Sequence, residues 1–270
     1  MKWREVFEEL VVAIDAAGEL QGDNMRFVAN PQSFSPEGAR AIEELGVAWG
    51  SPIDQLGMSV AVAILDGAAF PDGPHHIILG AGGGQDIDTS GRHQPCTPLK
   101  DMGIRVIGNA QYTVHFRTVG LTVDEGVCTI QLTFQDKAPR VPKRWKFAGQ
   151  QTAAVNTPVQ TQNIDQVAEA MSSDGSTMID GIIKISARQM LALGTQGGVI
   201  ILSDAVTPRQ EILCGAGGSE LITGENDTVI PTQEFDCQIP VLPNKLIYIE
   251  SVGVGEAGTI MNGISLGFKV

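Results

Sequence analysis

Two stretches of this chain, residues 56–83 and 193–218, follow one script, and that internal similarity constrains the fold more than any other feature. Leu56-Gly57 recurs as Leu193-Gly194, Val62 as Val199, Ile64-Leu65 as Ile201-Leu202, Ala68 as Ala205 and Pro71 as Pro208, all at one constant offset. After a short slip, Gly80-Ala81-Gly82-Gly83 returns as Gly215-Ala216-Gly217-Gly218, each time behind an apolar pair, Ile77-Ile78 and Ile212-Leu213. Further on, Val119-Gly120 matches Val252-Gly253, and Ile130, Leu132 and Phe134 match Ile264, Leu266 and Phe268. A drift of a few residues over so long a span is what loop insertions between two copies of one folding unit produce. The period is too long for a solenoid, so the expectation is two tandem domains.

With 270 residues, each copy has room to bury a core of its own. The apolar fraction of 43% and charged fraction of 18%, without a long uninterrupted apolar run, read as a soluble globular chain with no membrane span. Glu5, Glu8 and Glu9 stand where a signal peptide would need an apolar core. Cys96, Cys128, Cys214 and Cys237 show no metal or redox spacing and read as small buried hydrophobes, not a disulfide framework. A net charge of -13 argues against nucleic acid or anionic lipid as the main partner, because such binding needs clustered Lys and Arg. One segment breaks the acidity: Lys137, Arg140, Lys143, Arg144 and Lys146 surround Pro139, Pro142 and Trp145. It reads as a solvated, proline-stiffened connector, with docking on an acidic subunit or nucleic acid as the alternative.

Trp3, Val6, Phe7, Leu10, Val11 and Ile14 fall at helical spacing ahead of Gly18, which predicts an amphipathic helix over 2–17. Ser35 and Pro36 read as the cap and first turn of a second helix reaching about Leu45, and a third is expected over 164–171. Elsewhere short apolar or alternating runs are broken by Gly, Pro, Asn and Asp. The predicted strands are 58–65, 76–79, 104–107, 112–119 and 127–134, then 181–193, 199–202, 211–214, 234–239, 245–252 and 263–268. The fold class expected is mainly β: two tandem antiparallel β-sandwich or jelly-roll domains with an N-terminal amphipathic helix and short accessory helices. The boundaries read from these signals are a helical arm at 1–50, a first β-domain at 51–136, a linker with the basic segment and a short helix at 137–180, and a second β-domain at 181–270.

Neither Gly-rich tetrapeptide continues into the Gly-Lys-Ser/Thr of a phosphate loop. Gly80, Gly82 and Gly83, and Gly215, Gly217 and Gly218, read instead as turn or bulge positions following a strand. All four histidines, His75, His76, His93 and His115, lie in the first copy, which makes His75, His93 and His115 weak candidates for a metal site. The adjacent pair His75-His76 would point to opposite faces of a strand, and no ligand-spaced Glu follows, so the cupin pattern is not met. No nucleophile elbow is present, and the paired acids, such as Glu8-Glu9, Glu43-Glu44 and Asp124-Glu125, sit where solvated carboxylates are the default. No catalytic residue and no cofactor is expected, and the chain does not read as an enzyme.

Tandem antiparallel β-domains in an acidic chain of this size, carried by the paired blocks quoted above, resemble the double-barrel coat proteins of icosahedral viruses and phages. The resemblance is architectural and covers about residues 56–270. It implies two jelly rolls standing on a shell, with three chains forming a pseudo-hexagonal capsomer. Location in the virion after assembly in the host cytoplasm, and contacts with other copies and other virion proteins, follow from the same resemblance. Trp3, Val6, Phe7, Leu10, Val11 and Ile14, with Arg140, Lys143, Arg144 and Trp145, would suit such contacts. About 55 residues precede the first copy and roughly 50 separate the copies, leaving small barrels. A phage decoration, fibre or tail component with duplicated β-domains is therefore an alternative. A second, from another class, is a bicupin-like or sandwich protein that binds a ligand or metal near His75, His93 and His115.

Overall fold

The computed structural model describes residues 2–11, 26–27, 33–51, 57–84, 92–93, 97–121, 126–152, 159–161, 175–189, 194–203, 210–219, 233–245, 247–255 and 259–270. Among them there is no helix; every long element is a strand, and every pairing is antiparallel. Residues 2–135 supply β1 (Lys2–Val11), β2 (Arg26–Phe27), β3 (Ala41–Ser51), β4 (Gly57–Asp66), β5 (His75–Gly84), β6 (Arg92–His93), β7 (Thr97–Lys100), β8 (Thr113–Leu121) and β9 (Gly126–Gln135). The remainder supplies β10 (Lys143–Thr152), β11 (Val159–Thr161), β12 (Met178–Gln189), β13 (Gly194–Ser203), β14 (Gln210–Ser219), β15 (Gln233–Phe235), β16 (Ile239–Pro240), β17 (Tyr248–Gly255) and β18 (Thr259–Lys269).

The strands form two five-stranded and two four-stranded sheets. In the first half the orders are β1-β9-β3-β6, with β7 also on β3, and β2-β8-β4-β5. In the second half they are β10-β18-β12-β15, with β16 also on β12, and β11-β17-β13-β14, the same orders strand for strand. Irregularities recur at matching points. The β3–β9 register shifts between Ile42 and Glu44, and the β12–β18 register between Ile179 and Ile182. Likewise β4–β5 shifts between Ala61 and Val62, and β13–β14 between Gly198 and Val199.

The helix expected over 2–17 is not formed: Lys2–Val11 is strand β1, paired with β9 from Lys2↔Gln135 to Val11↔Gly126. A long partner edge that would otherwise leave its N–H and C=O groups unpaired outweighs a helical spacing of apolar residues. Trp3, partly buried, packs on the core from this strand. Ile14 and the rest of that expected helix lie outside the described residues, as does the helix expected over 164–171.

The second expected helix is also replaced. Pro36 and Ala39 close a single turn by a 3.0 Å backbone hydrogen bond, and β3 follows. In that strand Glu43 is the extra residue of a bulge, so Ile42 and Leu45, three residues apart, both point into the core. Residues 1–50, expected as an arm, thus contribute β1, β2 and most of β3, and the expected linker contains β10, β11 and the start of β12. Ile104–Ile107, expected as a strand, is a loop segment with one bridge, Ala41↔Arg105.

The halves share a core. Sheet β10-β18-β12 packs against β8-β4-β5, so Trp145, Phe147, Ile183 and Ile185 join the cluster built on Ile42, Leu65, Ile77, Phe116 and Phe134. This explains why Val60–Leu65 is buried along its whole length: a strand covered on both faces is a continuous apolar run. Small residues make the close approach possible. A Cβ on Gly263 would lie 3.1 Å from Val60 and 3.2 Å from Phe147, and the indole of Trp145 lies over Gly181 and Gly267. The other face of β18, with Ile264, Leu266 and Phe268, builds a separate cluster with Ile179, Ile182 and Ile239.

Candidate functional site

Buried polar residues lie near the connector 136–142 and the turn between β4 and β5, among them Asp72, His75 and Lys143. That turn carries Asp72, whose side chain is 1% exposed and is held by the guanidinium of Arg105: Nε donates to Oδ2 at 2.8 Å and Nη2 to Oδ1. Hydrogen bonding to this carboxylate raises the Arg105 pKa further. Gly73 takes a left-handed φ of +88°, and a Cβ there would meet the Arg144 guanidinium at 3.3 Å. The turn therefore needs glycine both for its backbone and for the arginine above it.

His75 follows. Its ring is fully buried, edge-on to Phe70 at 5.8 Å, and Phe70 in turn meets Tyr112 edge to face. Nδ1 accepts a hydrogen bond from the backbone N–H of Trp145 at 3.3 Å, which assigns the ring proton to Nε2, a buried atom without a hydrogen-bond partner among the described residues. Burial above all, opposed by Asp72 and aided by His76 and Arg144, pushes the imidazole down to about 3, so it is neutral at physiological pH.

The candidate metal histidines are not brought together. His75 pairs with Leu65 and His115 with Ile64, adjacent rows whose side chains leave opposite faces of the sheet. His115 Nε2 lies 2.9 Å from Thr113 Oγ1. His93 is in β6, on a different sheet, opposite Gly50. Among the described residues no three His, Cys, Asp or Glu side chains form a group that could hold a metal.

The residues of the basic segment have separate fates. Trp145 is in the core, its indole N–H donating to Met102 O at 2.7 Å, which removes it from any docking surface. Arg140 is exposed, Arg144 leans on Gly73, and Lys143 is buried. Val6, Phe7, Leu10 and Val11 are placed in β1. The glycines expected at turns lie within strands instead: Gly80, Gly82 and Gly83 pair with Ala61, Ser59 and Met58, and Gly215, Gly217 and Gly218 with Gly198, Gln196 and Thr195. The bulges fall one residue before each run, at Leu79 and at Cys214.

Between the connector and the second half opens a cleft of about 790 Å³, lined by Asp101, Gln135, Lys137, Arg140, Lys143, Asp180, Asp236 and Cys237 among others. Cys237 donates to Ile179 O at 3.6 Å, and burial pushes its thiol up to about 11, so it is not a nucleophile at neutral pH. Asp72, Arg105 and the cleft left no signal in the sequence, because each is assembled from positions distant in the chain.

No family model and no curated protein matches the chain. Solved structures do. The Cowpea mosaic virus top component, described as naturally occurring empty particles, is 8% identical with a TM-score of 0.39 over 98% of this chain and 88% of its own. PNGase F, a glycosylasparaginase from Flavobacterium meningosepticum, is 7% identical with a TM-score of 0.40 over 97% and 96%. The major capsid protein P2 of bacteriophage PM2 is 11% identical with a TM-score of 0.35 over 99% and 98%.

Proposed function

We propose that the chain is a tandem duplication of a jelly roll and serves as a structural, non-enzymatic subunit that assembles into a virus particle. The observation that carries this reading is the nested pairing in each half. First strand pairs with last, β1 with β9 and β10 with β18; second pairs with the next to last, β2 with β8 and β11 with β17; and the innermost hairpins are β4–β5 and β13–β14. A hairpin rolled up in this way is the jelly-roll path, and its repetition gives one chain two similar but unequal units. Such a chain offers neighbours two related edges, which lets trimers imitate sixfold symmetry and tile a shell.

The shared core supports the same reading. Sheets fused through Trp145, Phe147 and Gly263 hold the two units at one angle, as a shell subunit requires. Location in the virion and contacts with other virion proteins belong to this proposal. Electron microscopy of the purified protein at increasing concentration tests it: the expected result is trimeric capsomers or closed shells. Uniform single subunits at every concentration would overturn it.

A further inference from the structure

We propose that the cleft between the connector and the second half is a carboxylate-binding site anchored on Lys143. The Lys143 side chain is 6% exposed, yet its ammonium makes no hydrogen bond among the described residues; the nearest carboxylate, Asp236 Oδ1, is 3.7 Å away on a side chain that is 92% exposed. Buried lysines are ordinarily paired, and an ion pair with so exposed a partner contributes little. The ammonium also lies 5.9 Å from the centre of the Trp145 ring, a contact that favours a cation there but takes up none of its N–H donors.

Two glycines, one from each half, clear the path for this lysine. A Cβ on Gly103, where φ is +69°, would sit 2.8 Å from Lys143 Cγ, and a Cβ on Gly181 would sit 3.2 Å from Lys143 Nζ. The ammonium is thereby delivered to the cleft with no hydrogen bond among the described residues beyond its 3.7 Å ion pair with Asp236. Three cations, Lys137, Arg140 and Lys143, face three carboxylates, Asp101, Asp180 and Asp236, so the formal charge of the cleft is balanced. A singly charged carboxylate satisfies Lys143 and meets less repulsion from Asp101, Asp180 and Asp236 than a phosphate dianion would. It comes either from a small free acid or from an acidic side chain on a second copy of this strongly acidic chain; this site goes beyond the assembly reading and does not depend on it.

Saturation-transfer NMR with acetate as probe and inorganic phosphate as competitor tests the site on the intact protein. The expected result is a saturable acetate signal that phosphate displaces poorly, at least tenfold weaker in Lys143→Gln and about threefold stronger in Asp236→Asn, which removes the competing carboxylate. Because Asp236 is exposed, that variant keeps its fold and decides the matter if Lys143→Gln does not. Absence of a saturable signal, an unchanged one in Lys143→Gln, or no gain in Asp236→Asn would overturn the proposal. Light scattering with and without millimolar acetate separates the sources: acetate lowers the association if a second copy supplies the carboxylate and leaves it unchanged if a free acid does. A protein that binds acetate but never associates would keep the site and remove the assembly reading.

Discussion

The Nδ1 atom of His75 accepts the backbone N–H of Trp145 at 3.3 Å, so a ring from the first half is tied to the main chain of the second. The bond requires a neutral imidazole, because a protonated ring has no acceptor. With the pKa lowered from 6.5 to about 3, chiefly by burial, the unfolded chain binds more protons than the folded one across that interval. Stability is therefore full above pH 6.5 and falls as pH drops toward 3. The loss attributable to His75 is on the order of 5 kcal/mol at the acid end. Urea denaturation at several pH values checks this, with His75→Phe expected to flatten the wild-type slope; an identical slope in the variant would assign the acid sensitivity elsewhere.

Trp145 reports on whether the halves unfold as one. Its indole fills the space over Gly181 and Gly267 and donates to Met102 O, so Trp145→Ala opens a cavity and strands a buried carbonyl. The expected cost is about 3–5 kcal/mol. Because the residue belongs to the shared core, calorimetry is expected to show one transition shifted as a whole, not a second-half transition moving alone.

The contact between sheets is set by small side chains. Gly263→Ala pushes a methyl to 3.1 Å from Val60 and 3.2 Å from Phe147, at an expected cost of about 1–3 kcal/mol. Ser265→Ala adds nothing to the packing but removes the hydroxyl that accepts from Ile78 N–H at 3.3 Å, with about 1–2 kcal/mol expected. Chemical denaturation of the two single variants measures both.

The ion pair of Asp72 with Arg105 is unequal. The carboxylate is 1% exposed and the guanidinium side chain 43%, so removal of either partner leaves very different groups behind. Arg105→Met strands a buried charge and is expected to cost about 3 kcal/mol or more, whereas Asp72→Asn leaves an arginine that water can reach and is expected to cost less. Equal losses in denaturation would contradict this asymmetry.

Strand content was legible where local pattern and tertiary role coincide. Val60–Leu65 and Ile77–Leu79 are apolar in sequence because both faces of their sheet are covered. The glycine runs read as turns or bulges after a strand; they lie within strands, with bulges beside them at Leu79 and Cys214. The misreadings have a common physical origin. Ser35 and Pro36 open a single turn that a strand follows, and β1 carries helical spacing while its backbone is claimed by β9; in one dimension both imitate a helix. The basic segment was legible as charge but not as structure, since nothing local shows that Trp145 enters the core beneath Lys143. The pairing of Asp72 with Arg105 and that of His75 with Trp145 join positions far apart in the chain and leave no periodic trace.

The mass of the purified protein in solution, measured by light scattering after size exclusion, tests the central claim most directly. The chain mass is 28.6 kDa. A mass of three chains, or a megadalton particle, is the result expected of a shell subunit. A single chain that stays monomeric up to high concentration would contradict it.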